Sequence, residues 1–202
     1  MSKVKPKKRS TLIDMTAMSD VTVLLLTFFM LTATFLPKEP IRVITPASVM
    51  EIKIPDANLL TILVKPNGQC YLNLDRPRDR KAVLEKISKD YKINFTSEQI
   101  ASFVNQPTIG VPIKLLPKFL DMKIEEQDAI LKRTGVPTDS TNNELKVWIQ
   151  YACSNNKDLN IAIKADESTP YVLVKNVMGT LQDLKENRFN LITTLKGMPE
   201  GF

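Results

Sequence analysis

IDMTAMSDVTVLLLTFFMLTATFL, residues 13–36, decides how the rest of the chain is read. A bilayer crossing needs about 20 mostly apolar residues at about 1.5 Å rise each. This stretch supplies them with a single charge, Asp20, placed inside the apolar run once Asp14 is left at its edge. An ionisable group at membrane depth costs roughly 2.5–3.5 kcal/mol on insertion scales, so it is rare and faces a partner helix or a water path. A seven-residue step carries an α-helix through nearly two turns, with a drift of only about 20°. Asp20, Thr27 and Thr34 therefore share one stripe, and Thr16 lies one turn below Asp20. Threonines alone would be satisfied by bonds to their own helix carbonyls. In line with an aspartate they mark a side that faces protein or water rather than lipid.

The flanks orient this span. Lys3, Lys5, Lys7, Lys8 and Arg9 supply five positive charges to a net charge of +6. Basic residues ahead of an apolar run are the cytoplasmic signature of the positive-inside rule. A nucleic-acid protein would carry them on a folded face or recognition helix, so nucleic acid is not an expected partner. A signal peptide has a shorter, uniformly apolar stretch and a small-residue cleavage site. Neither is found here, and the expectation is an uncleaved single-pass anchor. The expected organisation is a cytoplasmic basic tail (1–11), a transmembrane helix (12–36), a linker (37–47) and an extracytoplasmic domain (48–202).

The domain reads as α+β, a mixed sheet with helices packed on one face. Residues 48–55, SVMEIKIP, alternate as a short strand. LLTILVK and QCYLNLD flank Asn67-Gly68, a strong hairpin pattern. Val83, Leu84, Ile87 and Tyr91 fall at helical spacing, and Thr96 or Ser97 can cap a second helix. Residues 106–143 are broken by Pro107, Pro112, Pro117 and Pro137, with helical pieces expected at 115–120 and 125–133, the latter ending at Gly135. A helix over 143–153, a strand over 158–165, a helix opened by Pro170 over 171–186 and a strand over 188–195 complete the order.

Composition removes most catalytic chemistry. The chain has no histidine, which takes away the commonest general base, the usual metal ligand and the serine–histidine and cysteine–histidine pairs. Cys70 and Cys153 are too few and too far apart for a zinc motif. They could form a disulfide in an oxidising compartment or remain two separate buried thiols. Asp166 and Glu167 are adjacent carboxylates, a pattern more at home in a turn and helix cap than in an acid–base couple. No enzyme, metal or cofactor is expected.

Two separated segments resemble the ExbD/TolR family of single-pass biopolymer transport proteins, and most resemble ExbD. IDMTAMSDVTVLLLTFFMLTA is similar to the family's anchor, whose membrane aspartate falls on Asp20, with Thr16 and Thr27 as polar companions. IAIKADESTPYVLVKNVMGTLQDL is similar to its strand, aspartate, turn, tyrosine and long helix, with Asp166 and Tyr171 at those positions. IKIPDA and LLTILVKPNGQCYLNLD extend the likeness. Residues 92–141 look like an insertion relative to the family, and the glycine often found before the last strand is missing, leaving Asn187 to take a left-handed turn.

The resemblance implies a bacterial inner-membrane subunit of a complex driven by the proton motive force, energising TonB-dependent outer-membrane transport. Asp20 would be the residue protonated and released in turn, with protons as coupling ion. The implied partners are an ExbB- or TolQ-like polytopic protein, a TonB- or TolA-like periplasmic transducer, a second copy of the chain, and peptidoglycan. Asp166 and Tyr171 would be partner contacts. The rival reading is a membrane-tethered periplasmic binding module in which Asp20 only pairs helices.

Overall fold

Asn67-Gly68 turns β2 (Leu59–Val64) back onto β3 (Cys70–Leu74), in the register Leu60↔Leu74 through Val64↔Cys70. Gly68 sits at φ +81°, and its N–H closes the turn on the Lys65 carbonyl at 3.0 Å. A side chain would be strained there, which is why the turn carries glycine. This hairpin is the centre of the computed structural model, which describes residues 15–33, 41, 43–48, 57–138 and 142–195. The chain divides into two units, residues 1–38 and 39–202.

The first unit contains α1 (Met15–Thr32), 18 residues long, exposed throughout. At 1.5 Å per residue it measures about 27 Å, close to the hydrocarbon thickness of a bilayer. By length and composition it can cross a membrane.

The second unit is α+β. Its five-stranded sheet has the order β4-β3-β2-β5-β6, formed with β4 (Thr108–Ile109), β5 (Asn160–Ala165) and β6 (Phe189–Leu191). The β2–β3 and β3–β4 pairs are antiparallel, and β2–β5 and β5–β6 are parallel. A parallel pair needs a long crossover. Here everything between β3 and β5 serves as that crossover: α2 (Pro77–Tyr91), α3 (Ser97–Asn105), α4 (Leu116–Leu120), α5 (Ile124–Arg133) and α6 (Glu144–Asn155). α7 (Tyr171–Asp183) then joins β5 to β6.

Side-chain alternation puts Leu60, Ile62 and Val64 beside Leu72, Leu74, Ile161 and Ile163 on one face, all buried. Val83 and Ile87 of α2, Leu145 and Trp148 of α6, and Val177 and Leu181 of α7 belong to the same core. Each such side chain contributes about 1.5–3 kcal/mol when fully buried. Buried Asp79, at the start of α2, is satisfied by the Asn155 and Asn156 amides, each donating at 3.1 Å. That contact ties the beginning of α2 to the end of α6.

Several expectations change in detail. Residues 92–138 form α3, β4, α4 and α5 and place Phe103, Ile109, Leu116 and Leu131 in the domain core. Thr96, not Ser97, caps α3, in a reciprocal box with Gln99. Phe103 stacks on Trp148 with ring centroids 6.1 Å apart. β4 supplies the sheet edge, and Leu131 of α5 closes against Tyr71 on the face opposite the main helical layer. A Cβ at Gly110 would run into the Tyr71 ring.

Gly135 does not cap α5; the cap is Thr134 in an extended conformation. Gly135 is small because a Cβ there would lie 2.9 Å from the Gln69 Cβ, where the chain passes the start of β3. The left-handed residue before the last strand is Lys185, at φ 61°, not Asn187.

The expected final strand is split. After β6, the Ile192 N–H bonds the Ile163 carbonyl at 2.9 Å, and β7 (Thr194–Leu195) pairs in parallel with β1 (Ala47–Ser48). Of the strand expected over 48–55, Ser48 lies in β1, and residues 49–56 lie outside the described residues.

Candidate functional site: the α1 aspartate and the Asp166 turn

α1 holds one ionisable side chain, Asp20, among Leu, Phe, Met and Val residues. The Thr27 hydroxyl donates to the Leu24 carbonyl at 2.9 Å, Thr22 to Ser19 at 2.8 Å and Thr32 to Phe28 at 2.8 Å. Each hydroxyl hydrogen is thereby used within the helix, which hides it from an apolar medium. Thr27 keeps an oxygen lone pair on the stripe it shares with Asp20. Thr16 lies one turn before Asp20 on α1, and Thr34 falls outside the described residues.

Asp166 follows β5 directly. Its Oδ1 accepts the Ser168 hydroxyl at 2.6 Å and the Ser168 N–H at 3.1 Å, and its Oδ2 accepts the Ile44 N–H at 3.1 Å. The Ser168 hydroxyl, then its N–H, then that of Ile44 hold the Asp166 carboxyl below the usual carboxylate value. Next to it, the Glu167 N–H donates to the Ile44 carbonyl at 2.8 Å. Ile44 is thus held at both its backbone N–H and C=O, while Ile41 and Val43 are buried in the domain core. Asp166 is a turn-former and a tie for Ile44.

Tyr171, at the start of α7, is 69% exposed, and its neighbour Val172 is 65% exposed. Tyr171 is not a core residue, and it presents a large amphipathic ring to solvent. Between α6, α7 and the β2–β3 turn lies an open groove of about 880 Å³ with polar walls. It contains the Lys146–Asp183 ion pair at 3.5 Å, together with Asn143, Lys175 and Asn176.

The two cysteines are free thiols, Cys70 buried and Cys153 partly so. Burial pushes Cys70 up to about 12, and burial with the nearby Glu186 pushes Cys153 up to about 11. Among the described residues, no group of three or more His, Cys, Asp or Glu is placed to hold a metal ion.

The burial of Ile41 and Val43 and the tie on Ile44 lie outside what the sequence reading expected of the linker. The signal for that burial was the alternation of Ile41 and Val43, two apolar positions on one side of an extended segment. The short length of that alternation and the prolines on both sides obscured it.

The described residues comprise an apolar helix that carries one carboxylate and is long enough to cross a membrane, and an α+β domain. The family model for biopolymer transport protein ExbD/TolR matches residues 6–196, and the chain belongs to that family. It is thereby a biopolymer-transport subunit of the energy-transducing, inner-membrane kind. Neither a curated protein nor a solved structure shows a significant match to it.

Proposed function

We propose that this chain is the single-pass subunit of a proton-motive-force-driven motor that energises TonB-dependent outer-membrane transport. The observation that carries the reading is Asp20, the lone ionisable side chain of α1. Alternating exposure to two aqueous sides lets such a carboxylate take up a proton on one side and release it on the other. Thr16 and Thr27 share the Asp20 face of α1, Thr34 falls on it by seven-residue spacing in the sequence, and these hydroxyls hold water or assist by hydrogen bonding. An ExbB- or TolQ-like polytopic protein surrounds a pair of these anchors. The basic tail keeps the N-terminus in the cytoplasm, so the α+β domain works in the periplasm on a TonB- or TolA-like transducer. Tyr171 is the contact residue best exposed for that partner, and Asp166 holds the turn that presents it.

Asp20→Asn keeps the shape of the side chain and removes its titration. The variant assembles with its polytopic partner and loses gradient-dependent uptake and proton flux. Full uptake with this variant would end the proton role.

The polar groove between α6 and α7 supports a second reading, a tethered binding module that engages peptidoglycan or a transducer while Asp20 only pairs helices. Under that reading the domain retains its function on a plain apolar anchor without an aspartate.

A further inference from the structure

The second face of the five-stranded sheet carries a row of polar side chains. Thr108 on β4 is paired with Asn73 on β3, and Asn73 with Thr61 on β2, so all three project to the same side. Leu63, two residues beyond Thr61, is paired with Lys164 on β5, which adds an ammonium to that side. These four polar residues line a partly open cavity of about 190 Å³ together with Ile41, Leu63 and Ile192.

Thr108 is only 4% exposed, and among the described residues its hydroxyl has no hydrogen-bond partner. The hydroxyl is therefore left facing the cavity, where only a molecule entering the cavity can satisfy it. Valine has nearly the same shape and a higher β-propensity, so packing alone would favour valine at this position. Asn73 and Thr61 likewise bring unpaired side-chain polar atoms to the cavity. Among the described residues the lining has one cation and no carboxylate, which selects an anion. Its apolar side selects a ligand with an aliphatic body, and a volume of about 190 Å³ corresponds to roughly six water molecules of liquid, far below a drug-sized ligand.

We propose that this cavity binds a short branched aliphatic carboxylate. The carboxylate group sits on Lys164 Nζ and the Thr108 and Thr61 hydroxyls, the Asn73 amide donates to it, and the alkyl group packs on Ile41, Leu63 and Ile192. Such a group can be a free acid or the terminal residue of a peptide chain. The occupancy of this cavity does not depend on the motor reading.

The test uses the full chain in nanodiscs. It is titrated with 4-methylpentanoate and, separately, with N-acetyl-Ala-Ala-Leu bearing a free carboxylate, followed by backbone amide NMR and calorimetry. At least one probe binds saturably, with shifts centred on Thr61, Asn73, Thr108 and Lys164; the tighter of the two identifies the source. The neutral 4-methylpentanamide binds about tenfold more weakly than its acid, as loss of a charge-assisted bond requires. Thr108→Val and Lys164→Met each weaken binding about tenfold without lowering the melting temperature. If Thr108→Val alters folding, partly exposed Lys164→Met carries the comparison. Non-saturable binding of both probes, equal affinity for the amide, or affinity unchanged in Lys164→Met overturns the proposal.

Discussion

Ile44 donates its backbone N–H to the Asp166 carboxylate across 122 positions of sequence, at 3.1 Å. With the Glu167 N–H returning a bond to the Ile44 carbonyl at 2.8 Å, this pair fixes Ile44 against the end of β5. A residue that resembles a partner contact in sequence thus spends its carboxylate oxygens inside the fold. The exposed surface beside it belongs to Tyr171 and Val172.

The Asp166 bonds make stability depend on acid. Its folded-state value is held below the ordinary 3.8 by the Ser168 and Ile44 donors. The contribution is therefore full at neutral pH. It begins to fade as pH falls towards 3.8, where the unfolded carboxylate takes up its proton first, and it is gone below the folded-state value. Asp166→Asn removes that dependence: thermal melting of the variant begins lower at pH 7 and changes less between pH 5 and 3 than the parent. Equal pH profiles for the two proteins would remove Asp166 as the tie for Ile44.

Two glycines respond in opposite directions. Gly110→Ala places a methyl group against the Tyr71 ring and Leu131, and overpacking of this kind costs about 1–3 kcal/mol. Gly179→Ala, within α7, meets nothing within 4 Å and gains about 0.5–1 kcal/mol from helix propensity. Urea denaturation of the two variants beside the parent reads both signs.

Trp148 carries the junction between residues 92–141 and the core through its stack on Phe103. Trp148→Ala leaves a large cavity and costs about 3–5 kcal/mol. Because α3 rests on the same ring, limited proteolysis of the variant cuts first within residues 92–141. Cleavage confined to other segments would show that this region holds together without Trp148.

The thiols react slowly and in a set order. With Cys70 at about 12 and Cys153 at about 11, thiolate is scarce at pH 8 and labelling is far slower than for an ordinary cysteine. Cys153, the less buried of the two, is modified first, and denaturant releases both. Mass spectrometry of native and denatured samples treated with iodoacetamide gives the order, and non-reducing electrophoresis shows no intramolecular bridge.

Local chemistry determined a large part of this protein from sequence alone. An apolar run with one aspartate makes α1, Asn-Gly between branched strands makes the β2–β3 hairpin, and 3.6-residue periodicity makes α2, α6 and α7. Each of these signals lies within a window of a few to twenty residues, where backbone preference and hydrophobic pattern act directly. Tertiary structure alone decided the rest. β4 and β1 are two residues long, too short for any alternation to register, and they are strands only because a partner strand pairs with them. Gly110 and Gly135 are required by what passes beside them, not by their own φ. Lys185 takes the left-handed turn because the end of α7 must redirect the chain into β6. Thr108, Asn73 and Thr61 are distant in sequence and become neighbours only through strand register. In the same way, the hold of Asp166 on Ile44 joins residues 122 positions apart, so the Ile41 and Val43 alternation could mark an apolar segment but not its partner.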